Sequence, residues 1–83
     1  MFGEAIKKKT ETLSRIEQLE TSMLESIINA EAFGADADNF RNQGEGQAQM
    51  DCITAQQTCA ILANAYGTAV LVLRAKIAAG ELD

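Results

Sequence analysis

The sequence predicts an all-α fold of two long antiparallel helices, a helical hairpin. Three observations predict it. Apolar residues recur at helical spacing in both halves, and no segment shows the period-two alternation of a strand. A single stretch rich in Gly, Asp and Asn divides the chain near its middle. The 83 residues contain no proline and leave room for one small domain, 1–83.

The first helix is expected over about 4–33. Leu13, Ile16, Met23, Ile27 and Ala30 fall at heptad-like spacing, with Glu20 interrupting the row. Leu19, Leu24 and Ile28 widen the stripe, and Glu11, Arg15, Glu17, Gln18, Glu25 and Ser26 lie between. This is an amphipathic helix with one apolar face. The connector is expected over about 34–46. It holds Gly34, Gly44 and Gly46 with Asp36, Asp38, Asn39 and Asn42, residues that tolerate left-handed backbone and cap helices. Positions 35–42 also admit a helical turn that extends the first helix, which places the break itself at 43–46. The second helix is expected over about 47–79, with Gly80 as its stop. Gly67 interrupts its interior at a cost of about 1 kcal/mol relative to alanine, which points to a packing reason such as close approach of a neighbouring backbone. Helices of this size run to roughly 45 Å each, so the molecule is long and thin.

The second helix carries the most informative anomaly. No charged residue occurs from Cys52 to Leu73, 22 positions. Cys52, Cys59, Tyr66 and Leu73 form one seven-residue row, and Ala63, Val70 and Ile77 run beside it. Ile61, Ala65, Val72 and Ala75 occupy another side of the same cylinder. A helix that is apolar all round is normally buried in a large core or a membrane, and one companion helix shields only one side. The expectation is a helix enclosed by other copies of the chain, as a coiled-coil homo-oligomer or filament. The interface is expected to include Cys59, Ile61, Leu62, Tyr66, Gly67, Val70, Leu73 and Ile77. A helix of a different protein docked on the same face, as on a small chaperone or adaptor, is the alternative. Membrane insertion is a second alternative. The length suits a bilayer, but Thr54, Gln56, Gln57, Thr58, Asn64 and Thr68 are costly in lipid, so assembly is the preferred reading.

Composition excludes several function classes. Net charge is −5, which argues against nucleic acid, since phosphate neutralisation needs clustered Lys and Arg. The one basic cluster, Lys7-Lys8-Lys9, is followed by Glu11 and Glu17 and reads as a solvated helix face. There is no histidine, which removes the commonest general base and transition-metal ligand. Cys52 and Cys59 would stand about 10 Å apart on one helix, beyond disulfide reach of each other, and read as small buried apolar residues, with a cross-chain disulfide in an oxidising compartment as the alternative. Asp36 and Asp38 occupy the first and third positions of a calcium loop, but Phe40, Arg41 and Gln47 then fill the positions that require an oxygen ligand, a glycine and a glutamate. The Gly44-Glu45-Gly46 stretch lacks the lysine and flanking strand of a phosphate loop. No catalytic residue, cofactor or metal is therefore expected. MFGEAIKKK places charge ahead of any apolar run, so no cleaved signal peptide is expected. That leaves the cytoplasm or export by a signal-independent route.

The second helix resembles the C-terminal helix of the needle-subunit family of bacterial type III secretion systems. Asn64, Thr68-Ala69-Val70 and Arg74-Ala75-Lys76-Ile77 carry the resemblance, which covers about a third of the chain. The departures are the lack of a proline-containing turn and of the tryptophan and tyrosine common near the start of that family's second helix. The Ala-, Gln- and Gly-rich middle is also similar to refractile-body proteins. Both resemblances imply polymerisation of small helical subunits, the first within a protein-secretion apparatus.

Overall fold

The structure, a computed structural model, describes residues 2–81; Met1, Leu82 and Asp83 of the expected 1–83 domain lie outside the described residues. Two helices account for nearly all of it: α1 (Phe2–Asn42) and α2 (Gly46–Ala78). They pack antiparallel along one another, an all-α helical hairpin that measures 64 × 16 × 13 Å.

Both helices end in the same device. At the end of α1, Gly44 takes φ +75°, Glu45 N–H donates to the Phe40 carbonyl at 2.9 Å and Gly44 N–H to that of Arg41 at 3.1 Å. At the end of α2, Gly80 takes φ +76°, Glu81 N–H donates to the Lys76 carbonyl at 3.0 Å and Gly80 N–H to that of Ile77 at 3.1 Å. This paired arrangement satisfies carbonyls that the helix leaves orphaned, and its left-handed residue favours glycine. The chain therefore reverses in three residues, Gln43-Gly44-Glu45, without a proline.

The connector expected over 34–46 is thus mostly helix. α1 does not end near Phe33 but runs on through Gly34 to Asn42. A Cβ at Gly34 would lie 2.7 Å from Nε2 of Gln56 on α2, the end of a flexible side chain that would have to turn aside.

The seam between the helices follows a strict alternation of three and four residues. On α1 it comprises Thr12, Ile16, Leu19, Met23, Ser26, Ala30, Phe33, Ala37 and Phe40; on α2, Gln49, Cys52, Gln56, Cys59, Ala63, Tyr66, Val70, Leu73 and Ile77. All are buried or half-buried. This is the a/d pattern of a coiled coil. Its row on α1 differs from the expected one. Leu19 and Ser26 take the places expected for Glu20 and Ile27, while Leu13 and Ile27 move to an exposed flank. The shift keeps the Glu20 carboxylate out of the seam, at an edge where it accepts from the Arg74 guanidinium across the hairpin.

Packing is uneven along the seam. The large apolar contacts, Ile16, Leu19 and Val70 with Tyr66, Ala69, Leu73 and Ile77 around them, lie toward the open end. The half near the turn pairs alanines and phenylalanines with Gln49, Cys52, Gln56 and Cys59, and Ala37 is its buried apolar residue. Apolar burial contributes about 25 cal/mol per Å², so most of the stabilisation sits in the open half.

Candidate protein-interaction surface

The seam uses one stripe of α2 and leaves the rest of an apolar cylinder in water. Among the described residues, Ile61 and Leu71 are 69% and 70% exposed. Leu62, Val72 and Met50 are exposed on the same helix, and Ile6, Leu13, Leu24, Ile27 and Ile28 on α1. These ten large apolar side chains, spread over both helices, are open to solvent, and clustered apolar exposure of this kind marks interaction sites. Exposure of this kind on an extended hairpin is consistent with assembly or with binding of a protein partner.

The eight residues expected at the interface divide. Cys59, Tyr66, Val70, Leu73 and Ile77 lie on the seam rows and face α1. Gly67 also faces α1, where a Cβ would lie 3.3 Å from the Met23 sulfur. These six take part in the seam within the chain, Val70 buried and the others half-buried. Ile61 and Leu62 alone are exposed. The seven-residue rows read from the spacing share faces in the structure, and the row through Cys59, Tyr66 and Leu73 meets α1. The row of Ile61, Ala65, Val72 and Ala75, all exposed, is the one that points away from α1. Leu71, Met50 and the α1 flank are exposed apolar residues outside the expected eight. Leu71 sits within an unbroken apolar run, Ala69 to Leu73, in which spacing alone does not single it out.

The two sides of the hairpin differ. One holds an open groove of about 800 Å³ between the helices, lined on α1 by Met23, Ile27, Ala30 and Glu31 and on α2 by residues from Gln56 to Arg74. Its floor is shallow because Ala60, Ala63 and Gly67 lie there, and Leu71 stands at its rim. Arg74, paired with Glu20, closes one end, and Glu31 and Gln56 mark the other. The hairpin's tips also differ in charge. α1 has eight more residues than α2, and the register set by Met23 against Gly67 and by Gln56 against Gly34 leaves the excess at its N-terminus. That overhang carries Lys7, Lys8 and Lys9 against Glu4, all exposed. The turn end carries Asp36, Asp38, Glu45 and Asp51 against Arg41, which pairs with Asp38 at 3.5 Å.

Among the described residues no three His, Cys, Asp or Glu side chains are placed to hold a metal ion. Cys52 and Cys59 are free thiols, half-buried in the seam. α2 is long and apolar enough to cross a membrane by length and composition. In the hairpin, however, it packs along its length against α1, whose charged residues recur from Glu4 to Arg41. Comparison with protein-family models, with curated proteins and with solved structures finds no match.

Proposed function

We propose that this chain is a non-enzymatic structural subunit that assembles with copies of itself. The observation that carries the reading is the exposed outer side of α2, Ile61, Val72 and Leu71, on a helix whose opposite stripe is already used to hold the hairpin together. Burial of that side is favourable wherever a second apolar surface is available, and the nearest one of equal extent is the same side of another copy. The hairpin is a rigid rod with apolar residues along its length, which suits lateral packing into a bundle or filament. The likeness of 64–77 to needle-type secretion subunits supports the same reading and adds export by a signal-independent route as its setting.

The adaptor reading places a different protein's amphipathic helix on the same surface. Membrane insertion is disfavoured by the packing, since a bilayer around α2 would bring the α1 charges to its edge at a cost of several kcal/mol. Thermal unfolding followed by circular dichroism at 1 and 100 µM tests self-assembly. Mass action raises the midpoint of a self-associating fold with concentration, here by about 5 °C given the steep dependence of Tm on free energy in domains this small. A midpoint that does not change with concentration, for a protein soluble without detergent, rejects self-assembly and leaves the adaptor.

A further inference from the structure

Resting on the self-assembly reading, we infer that the groove on one side of the hairpin is a two-fold contact, filled by the same groove of a second, antiparallel copy. Three features become complementary under one two-fold axis crossing the groove near Ala65, the midpoint of the α2 residues that line it.

The first is shape. Reversal about that axis brings Leu71, the exposed knob at the groove's rim, level with the shallow floor at Ala60 of the second copy. By symmetry the second copy's Leu71 meets Ala60 of the first, and the two Ile27 side chains flank the axis. The second is charge within the groove. The same rotation sets Arg74, at one end, within about a helical turn of Glu31 of the second copy, at the other. A guanidinium carries five donors and bridges two carboxylates, so Arg74 keeps Glu20 while taking the second copy's Glu31. The third is charge at the tips. The lysine overhang at 7–9 comes alongside the turn end of the second copy, where Glu45 and Asp51 are exposed. A residue that contacts a different residue across the axis does so twice, so each pairing counts double in an isologous interface.

A stable interface takes about 800 Å² from each partner, about one-seventh of the 5953 Å² that the hairpin exposes, so the contact must extend beyond the groove to the tips. The outward row through Ile61 and Val72 stays free in such a pair, so paired hairpins retain a surface for growth into larger assemblies.

Charge reversal tests the pairing. Glu31→Arg and Arg74→Glu each place like charges opposite one another at both symmetry-related contacts, and each variant alone is expected to raise the dimer Kd tenfold or more. Mixing the two variants makes both contacts attractive again. One is the native pair, Arg74 of the first variant with Glu31 of the second, and the other joins the two substituted positions with their charges exchanged. The mixture is therefore expected to pair with near wild-type affinity, with circular dichroism reporting equal helix content throughout. The readout is sedimentation velocity in low salt. If wild type associates and both variants associate equally well, or if mixing restores nothing, the groove pairing is wrong while self-assembly stands. A wild type that stays monomeric at every concentration overturns both and assigns the groove to another chain.

Discussion

Replacing Ile16 with alanine separates the two kinds of apolar surface in this hairpin. Ile16 is 1% exposed and is the largest fully buried side chain among the described residues. Its truncation forfeits the transfer free energy of three carbons and opens a space between rigid helices that closes only in part, a loss of about 2–5 kcal/mol. Stability on the order of 0.05–0.15 kcal/mol per residue gives the whole chain roughly 4–12 kcal/mol, and its alanine-rich seam places it at the lower end. The variant therefore loses half or more of its stability. Ile61→Ala removes the same atoms from a position open to water and is expected to change the monomer by less than about 0.5 kcal/mol. Urea denaturation followed by circular dichroism checks both, at 1 µM, where the fold stands alone, and at 100 µM. At the lower concentration the Ile16 variant unfolds at far lower urea than wild type while the Ile61 variant matches it. At the higher concentration the Ile61 variant falls behind wild type, because it has lost assembly contacts. Equal losses for both variants at 1 µM would refute the assignment of inner and outer rows.

Other substitutions probe the turn, the crossing and the ion pair. Gly44→Ala forces a side chain into φ +75° and is expected to cost about 1–2 kcal/mol, read as a lower urea midpoint. Gly34→Ala drives a methyl group against the Gln56 amide; the loss is expected to shrink in the double variant with Gln56→Ala, a coupling that a double-mutant cycle measures. Arg74→Ala breaks an ion pair with Glu20 whose side chains are 55% and 39% exposed, so monomer stability is expected to fall by about 1 kcal/mol or less, while the dimer Kd rises more than that loss explains. Tyr66→Asp is expected to unfold the hairpin itself, because the ring packs within the chain, and loss of helical ellipticity at 1 µM is the sign to measure.

The hairpin was legible because the chain offers one glycine-rich break and helical spacing on both sides of it. The rows of α2 were legible for the same reason. Cys52, Cys59, Tyr66 and Leu73 share a face in sequence and in structure, as do Ala63, Val70 and Ile77. Which row meets α1 was not legible, since a helix that is apolar on every side carries no contrast to mark its inner face. The contrast lies on α1, in the alternation of Ile16, Leu19 and Met23 with charged neighbours. There the choice between Glu20 and Leu19 as the central position decides the register, and the sequence pattern of Leu13, Ile16, Met23 and Ile27 favoured the wrong one. The continuation of α1 past Phe33 was legible as an alternative, positions 35–42 admitting a helical turn and the break falling at 43–46, while Gly34 and the Asp and Asn residues after it favoured a connector. Local signals do not decide between the two. The groove was invisible for a similar reason: it is made of two flanks brought together by packing, and neither flank is distinctive alone.

The outer side of α2 is too apolar to be left in water. Sedimentation equilibrium of the purified chain, beside an Ile61→Glu, Val72→Glu variant and without detergent, tests it most directly. Wild type at 100 µM is expected to sediment well above the 8.9 kDa of one chain, and the doubly charged variant to keep its helix content and form no assembly larger than a pair. Wild type sedimenting as a single 8.9 kDa species at that concentration would contradict it.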